Sequence, residues 1–387
     1  MKVKQRVMKM NRIENRNNSI SFLKEYIHKN NIKHINLYLD SLNHFIRSFV
    51  VSYGTLQDST GREISGLYTS IKSLLSIVKI LSYDIGVDTN NITIYSAMEQ
   101  GRSKKFKSIM KEYKENRPKP SIATLADIER NEAFKYNIQE FETFLSLLFP
   151  DLILFHINNI EGDFLLAYIY YKYMNESDLN IIISTDKDFY QLMSNPNTLV
   201  FDPLSNQIVH TGNFNNKLKI EKIPINIEDL PLFKTLTGDK SDNIKGVTGK
   251  ITAAKVINIL KETSPNHKIG DINDFWVLLN NYLDTNKKKH LKVFDKIVES
   301  KDNFNTAYTI MNLEKENVLK MLSTTNILDI TAVMNKPNTI TEEERIENMK
   351  KLSKFFEDHS FDYDLLLTTK RYILHNNNTP KMFGWNG

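Results

Sequence analysis

Eight acidic residues recur at spacings that could bring their side chains together. Asp40, Glu99, Glu161, Asp163, Asp186 and Asp188 each stand just beyond an apolar run, and Asp239 and Asp242 follow in the segment Thr237–Asn243. Residues two apart in an extended chain point the same way, which fits Glu161/Asp163 and Asp186/Asp188; Asp239 and Asp242, three apart, would share one side of a helical turn. Crowded carboxylates repel one another, and protonation or bound cations relieve that repulsion. Hard oxygen donors without thiolate or imidazole select Mg2+ or Mn2+. Two such ions about 4 Å apart suit attack of water on a phosphodiester, one activating the nucleophile and the other stabilising the leaving oxygen. Taken singly, the acids have plainer readings: Asp163 as a helix cap, Asp239 as a turn residue, Asp40 as an ordinary loop residue. Their joint recurrence favours a metal site.

Such convergence needs a sheet, because in open α/β folds side chains leaving several strands meet beyond the carboxyl ends. Strands are predicted at 35–39, 92–95, 152–157, 181–184 and 198–201. Amphipathic helical stripes lie between them, at 42–51, 67–81, 141–149 and 164–174. Alternation of this kind predicts an α/β domain with a largely parallel central sheet flanked by helices. The sheet domain should span 34–210, after a basic extension at 1–33. An Asn-rich loop at 206–216 follows, then helices at 230–236 and 252–260 within a region 211–268. A mostly helical extension, 269–387, closes the chain, with 342–356 its clearest helix.

Composition excludes several classes. The 387 residues contain no cysteine, which removes disulfide scaffolds, thiol nucleophiles and zinc ribbons together. No apolar run approaches the roughly 18 residues of a membrane span, and the basic start lacks the apolar core of a secretory signal, so a cytoplasmic address is expected; the chain is separately expected to act as a monomer. Net charge is only +5, but its distribution is uneven. From Arg102 to Lys119 eight basic residues face two acidic ones, and residues 1–30 hold the same balance. By itself such a run reads as a solvated face or a floppy tail.

These residues resemble the 5′ nuclease family of flap endonucleases, 5′-exonuclease domains of bacterial DNA polymerase I, and phage exonucleases and RNase H. Asp40 with Arg47 is similar to the family's opening Asp and Arg. Phe106, Lys107 and Tyr113–Arg117 resemble the basic gateway or arch, expected here at 100–135. Ile183–Leu192 and Thr237–Val247 are similar to its Asp-Lys-Asp and Gly-Asp-x-Ser-Asp-Asn-Ile-x-Gly-Val motifs. The match covers about 35–261. Glu99 stands where the family has Asp, Phe164 replaces one acid, and the hairpin Gly246–Ala253 is about two residues short.

The resemblance implies metal-dependent hydrolysis leaving 5′-phosphates, in phage replication or repair. Lys114, with Lys107 or Arg117, would meet the scissile phosphate. Asp40, Glu99, Glu161, Asp163 and Asp186 would serve one Mg2+, and Asp188, Asp239 and Asp242 a second, with Mn2+ as substitute and a K+ at the hairpin. Arg47, Arg102, Lys104 and Lys105 would contact DNA; Tyr113 would stack on a base or pack on the sheet. Within a helix-three-turn-helix, Gly246 and Gly249 would admit phosphates or simply form a tight turn, with Lys250, Thr252 and Lys255 adding contacts. Substrates would be 5′ flaps, branched or nicked DNA, or an RNA/DNA hybrid. The C-terminal extension would pack on the core or dock a single-stranded-DNA-binding protein or polymerase. Two alternatives stand beside this: a PIN-type ribonuclease, which lacks the hairpin, and a DNA-binding protein whose metal site has decayed.

Overall fold

The computed structural model describes residues 2–88, 91–100, 103–116, 125–148, 154–158, 160–263, 271–286, 291–322 and 342–362, with 365, 366 and 369. In chain order the elements begin with α1 (Lys2–Lys29), β1 (Ile35–Asp40), α2 (Ser41–Ser52), α3 (Ser65–Lys79), β2 (Ile92–Gln100), α4 (Lys104–Ile109), α5 (Leu125–Leu148), β3 (Leu154–Asn158), α6 (Gly162–Tyr173) and β4 (Leu179–Ile183). A 3-10 helix, Lys187–Ser194, leads to β5 (Thr198–Asp202), β6 (Gln207–Val209), α7 (Phe214–Leu218) and α8 (Leu230–Thr237). A two-stranded hairpin, β7 (Gly238–Asp239) and β8 (Ile244–Lys245), precedes α9 (Lys250–Thr263). Then come α10 (Ile272–Thr285), α11 (Lys292–Glu299), α12 (Lys301–Met311), α13 (Lys315–Met321) and α14 (Glu342–Asp358).

The main sheet has the order β3-β2-β1-β4-β5-β6 and is parallel except where β6 returns against β5. Every residue of β1 and β4 is buried, as expected for central parallel strands covered on both faces. Alternation divides β1 between two cores. Leu37 and Leu39 join the helices α2, α3, α5 and α14, while Tyr38 joins α6, α8 and α9 on the other face. Burial of each Leu or Phe in these layers contributes about 1.5–3 kcal/mol. The chain runs outward from β1 to β3, then crosses back to start β4 on the other side of β1. That reversal opens a crevice at the carboxyl ends of β1 and its neighbours, where Asp40 ends β1.

The α/β class and the five expected strands are present, with differences at the margins. The stretch at 1–33 is helical over Lys2–Lys29. Part of the Asn-rich loop is β6, and α5 starts 16 residues before the predicted helix at 141. α1 lies along the β5–β6 edge: Ser19 Oγ accepts the Ile208 amide at 2.9 Å, Tyr26 donates to Asn197 Oδ1 at 2.9 Å, and Phe22 stacks on His210. Among the described residues no helix is long and apolar enough to cross a membrane.

Candidate active site

Seven of the eight acids line one open cavity of about 450 Å³: Asp40, Glu161, Asp163, Asp186, Asp188, Asp239 and Asp242. Arg47 and Lys114 share its wall. The sheet sets the first members. Asp40 Oδ2 accepts the Ser184 hydroxyl at 2.8 Å, and Ser184 Oγ accepts the Asp186 amide at 3.0 Å, so the ends of β1 and β4 are tied side to side. Asp186 then caps the 3-10 helix, accepting the Asp188 amide at 2.9 Å. Glu161 precedes α6 and accepts the Ser103 amide at 3.2 Å. Glu99 lies in β2, in register with Ile157 of β3.

Asp239 fulfils its plainer reading too. Its Oδ1 closes a turn by accepting the Ser241 amide and hydroxyl at 2.7 and 2.6 Å, while Oδ2 faces Lys234 at 3.6 Å. Two ammonium groups knit the pocket together. Lys114 pairs with Glu161 and lies 3.8 Å from Asp242; Lys234 pairs with Asp188 as well as Asp239. Each lysine therefore spans from the sheet rim to the loop 239–242. Among the described residues, no three Asp, Glu or His side chains already converge as a ligand set, and Lys114 and Lys234 pair with Glu161 and Asp188.

The electrostatics follow from crowding. Burial, reinforced by Glu161, pushes Asp163 well above the usual carboxylate range despite Lys114. Burial pushes Asp188 up to about 7, with Asp186 and Asp239 adding to it and Lys234 opposing. For Asp239 burial acts upward, yet Ser241 and Lys234 outweigh it and hold the carboxyl low. Lys234 would lose its proton more easily through burial, but Asp188 and Asp186 raise its pKa instead. Lys234 is the residue that sequence reasoning missed. It sits in a stretch read only as helix, and the sole signal was a lysine five positions before Asp239.

The gateway residues divide. Lys114 is buried in a left-handed conformation, φ +54°, its amide donating to the Asp242 carbonyl at 2.9 Å. Asn116 and Asn243 make reciprocal side-chain bonds to the carbonyls of Lys240 and Glu112, so the gateway base is fastened to the acidic loop. Tyr113 does not present a face for base stacking. It is 4% exposed, packs edge-on against Phe106 and donates to Asp242. Lys105 turns away to the Lys320 carbonyl, and Lys104 and Lys107 are exposed and line no part of the cavity. Arg102 and Arg117 lie outside the described residues.

Gly246 is required by the turn itself. A Cβ there would lie 2.2 Å from the Thr237 carbonyl carbon, and one on Gly238, at φ +68°, would lie 2.2 Å from the Gly246 nitrogen. The amides of Val247 and Thr248 are taken by the Leu236 carbonyl. Gly249 faces open space, and beside it Lys250 and Lys255 are exposed while Thr252 is half-buried.

A parallel sheet with an acidic pocket at its chain reversal defines an α/β fold built for work at strand ends. Residues 36–221 match the N-terminal resolvase-like domain of 5′-3′ exonucleases. The chain is 25% identical over 268 residues to a 5′-3′ exonuclease of Aquifex aeolicus, covering 67% of this chain and 80% of that protein. It is 34% identical over 100 residues to the flap endonuclease Xni of Colwellia psychrerythraea, covering 25% and 32%. The fold is similar to that of the bacteriophage T5 5′-exonuclease solved with divalent zinc, with TM-score 0.58 and 17% identity over 78% of this chain and 97% of that one. Residues 36–221 thus carry the N-terminal domain of the 5′-3′ exonucleases, and the relatives that the chain resembles, a 5′-3′ exonuclease and a flap endonuclease, are nucleases.

Proposed function

We propose that the protein is a divalent-metal-dependent, structure-specific 5′ nuclease that hydrolyses phosphodiesters in flapped, branched or nicked DNA and leaves 5′-phosphates. The observation carrying this reading is the gathering of seven carboxylates, from four stretches of chain, around one cavity that also holds Lys114 and Arg47. The donor set fits hard cations: it is all oxygen, and its charge is offset only in part by Lys114 and Lys234. Asp40, Glu161, Asp163 and Asp186, with Glu99 of β2, would hold or orient one Mg2+ and Asp188, Asp239 and Asp242 a second, with Mn2+ as substitute. Such ions supply an activated water and charge stabilisation at the phosphate.

The chain's own groups do the rest. Lys114, fixed at Glu161 and Asp242, offsets charge developing on the scissile phosphate. Arg47 on the rim, with Lys104 and Lys107 of the gateway, draws the DNA backbone toward the cavity. Within 211–268, read as a helix-three-turn-helix DNA-binding region, Lys250, Thr252 and Lys255 contact phosphates of a duplex and read shape rather than sequence. Such an activity would suit removal of RNA primers during phage replication.

A product-length assay on labelled 5′-flap, nicked duplex and RNA/DNA hybrid, with and without Mg2+, tests it. Cleavage should require the ion, and Asp186→Asn or Asp239→Asn should lower it by about 100-fold or more while flap binding persists. Full activity in either variant contradicts the assignment.

A further inference from the structure

A separate groove, with a cavity of about 290 Å³, opens where α6 packs against α13. Tyr168, Tyr171, Val318 and Leu319 form its apolar wall; the other lining residues are Lys172 and Lys315, and no acid lines it. The nuclease reading uses none of these side chains. Val318 is fully buried, but Leu319 beside it is 42% exposed, so the chain's own packing leaves a large apolar group uncovered at the groove. Tyr171 is a fixed part of the wall: its hydroxyl donates to the Leu313 carbonyl at 3.0 Å and its ring packs edge-on with Tyr170. At the far end of α13, Lys105 of α4 donates to the Lys320 carbonyl at 2.8 Å. Ammonium groups therefore stand at both ends of α13, Lys315 at its start and Lys320 with Lys105 at its finish. Of the acids nearby in sequence, Glu316 is exposed outside the lining, and Glu314 accepts a bond from Asn312 Nδ2 at 3.0 Å.

We propose that the groove between α6 and α13 docks an acidic peptide of a partner protein, an apolar side chain entering against Tyr168 and Leu319 while its flanking carboxylates meet Lys172 and Lys315. Charge complementarity selects this occupant, because the lining offers apolar surface and cations without an anion, the inverse of an apolar residue set among acids. A single strand of nucleic acid would answer the charge, but it needs an aromatic face for stacking, and Tyr171 commits its ring to Tyr170 and its hydroxyl to Leu313. Residues 323–341, which follow α13 in the chain, hold one acid, Asp329, against one lysine, Lys336, so that segment lacks the complementary charge. The groove also stands apart from the acidic pocket. Lys172 is nine residues beyond Asp163 on α6, about 13 Å along the helix axis. A partner seated there leaves the carboxylate cavity open and tethers the protein without blocking its chemistry.

The test is fluorescence anisotropy of the full chain with a labelled, end-capped synthetic peptide in which Phe sits between two Asp-Asp pairs. Binding should weaken as salt rises. Leu319→Asn should lower affinity by about 10-fold, and replacing the peptide's Phe with Ser should do the same. Lys172→Glu combined with Lys315→Glu should abolish binding of the acidic peptide and admit its Lys-for-Asp counterpart. All three positions are exposed, and circular dichroism verifies folding of each variant. Should Leu319→Asn fail to fold, the charge-reversed variant and the Ser peptide still decide. The proposal falls if the Phe peptide does not bind, if the Ser peptide binds equally well, or if the variants leave its affinity unchanged. It falls as well if labelled oligothymidine binds more tightly than the peptide and is weakened by the same substitutions, which assigns the groove to single strands. The measurement needs no cleavage, so its outcome is independent of the nuclease reading.

Discussion

Lys234 shows how one side chain governs a pocket. Its ammonium spans Asp188 and Asp239, doing for these acids what a divalent ion would do. Removing one partner of such a pair leaves buried charge uncompensated, a loss of roughly 3 kcal/mol. Lys234→Met should therefore lower the melting temperature in EDTA by several degrees, and saturating Mg2+ should raise it by more than in the unmodified chain. Thermal melts with and without Mg2+ check this; equal ion-induced shifts would contradict it. The convergence of the acids was legible in the sequence because motif and strand-end position coincide at Asp40 and Asp186, while at Asp239 the motif alone carried it and the expected helical turn is a hairpin. Lys234 was not, since a lone lysine in an apolar helical stretch looks like an ordinary solvent-facing charge. For Tyr113 the sequence left stacking and packing open, and its burial beside Phe106, with its hydroxyl on the remote Asp242, decides for packing.

Elements were readable where apolar residues repeat and unreadable where remote packing replaces that repeat. β1 and β4 announce themselves as short Ile- and Leu-rich runs. α1 is rich in Asn and Lys with no sustained apolar stripe, and β6 is three residues inside a polar loop; each exists because the other covers it. The contact of α2 with α3 and α5 yields a pH effect. His44 on α2 is fully buried, its Nε2–H donating to the Ser70 carbonyl at 2.9 Å and its Nδ1 lacking a hydrogen-bond partner, so the ring is neutral. Burial lowers its pKa to about 4, although the Ser70 carbonyl pulls the other way. An unfolded histidine binds its proton near pH 6.5, so as pH falls from 6.5 toward 4 only the unfolded chain gains one. Stability should be level above pH 6.5 with respect to this group and drop by about 3 kcal/mol across that window. Urea midpoints at pH 7.5 and 4.5 should show a smaller drop in His44→Gln; an identical drop would rule His44 out.

For the whole molecule, the order of segments was legible, but the joining of the first helix to the middle of the chain was not. Arg12 and Asn15 donate to the carbonyls of Pro203 and Ser205, Ser19 donates to Asn206, and Leu23 is fully buried. Deleting residues 1–33 should uncover the β6 edge, leave the Ile208 amide without its acceptor and favour edge-to-edge association. Light scattering and melting of the truncated chain test this: a monomer of unchanged melting temperature would mean that α1 is dispensable.

The same attachment constrains how the chain is made. α1 leaves the ribosome nearly 190 residues ahead of the hairpin that seats it. At about 5–20 residues per second, it waits roughly 10–40 s without a partner. During that interval a basic helical segment hangs from the nascent polypeptide, and docking it closes a loop of nearly 190 residues. A slow late phase in refolding, abolished by supplying the helix as a separate peptide to a chain that lacks it, is the kinetic mark this leaves.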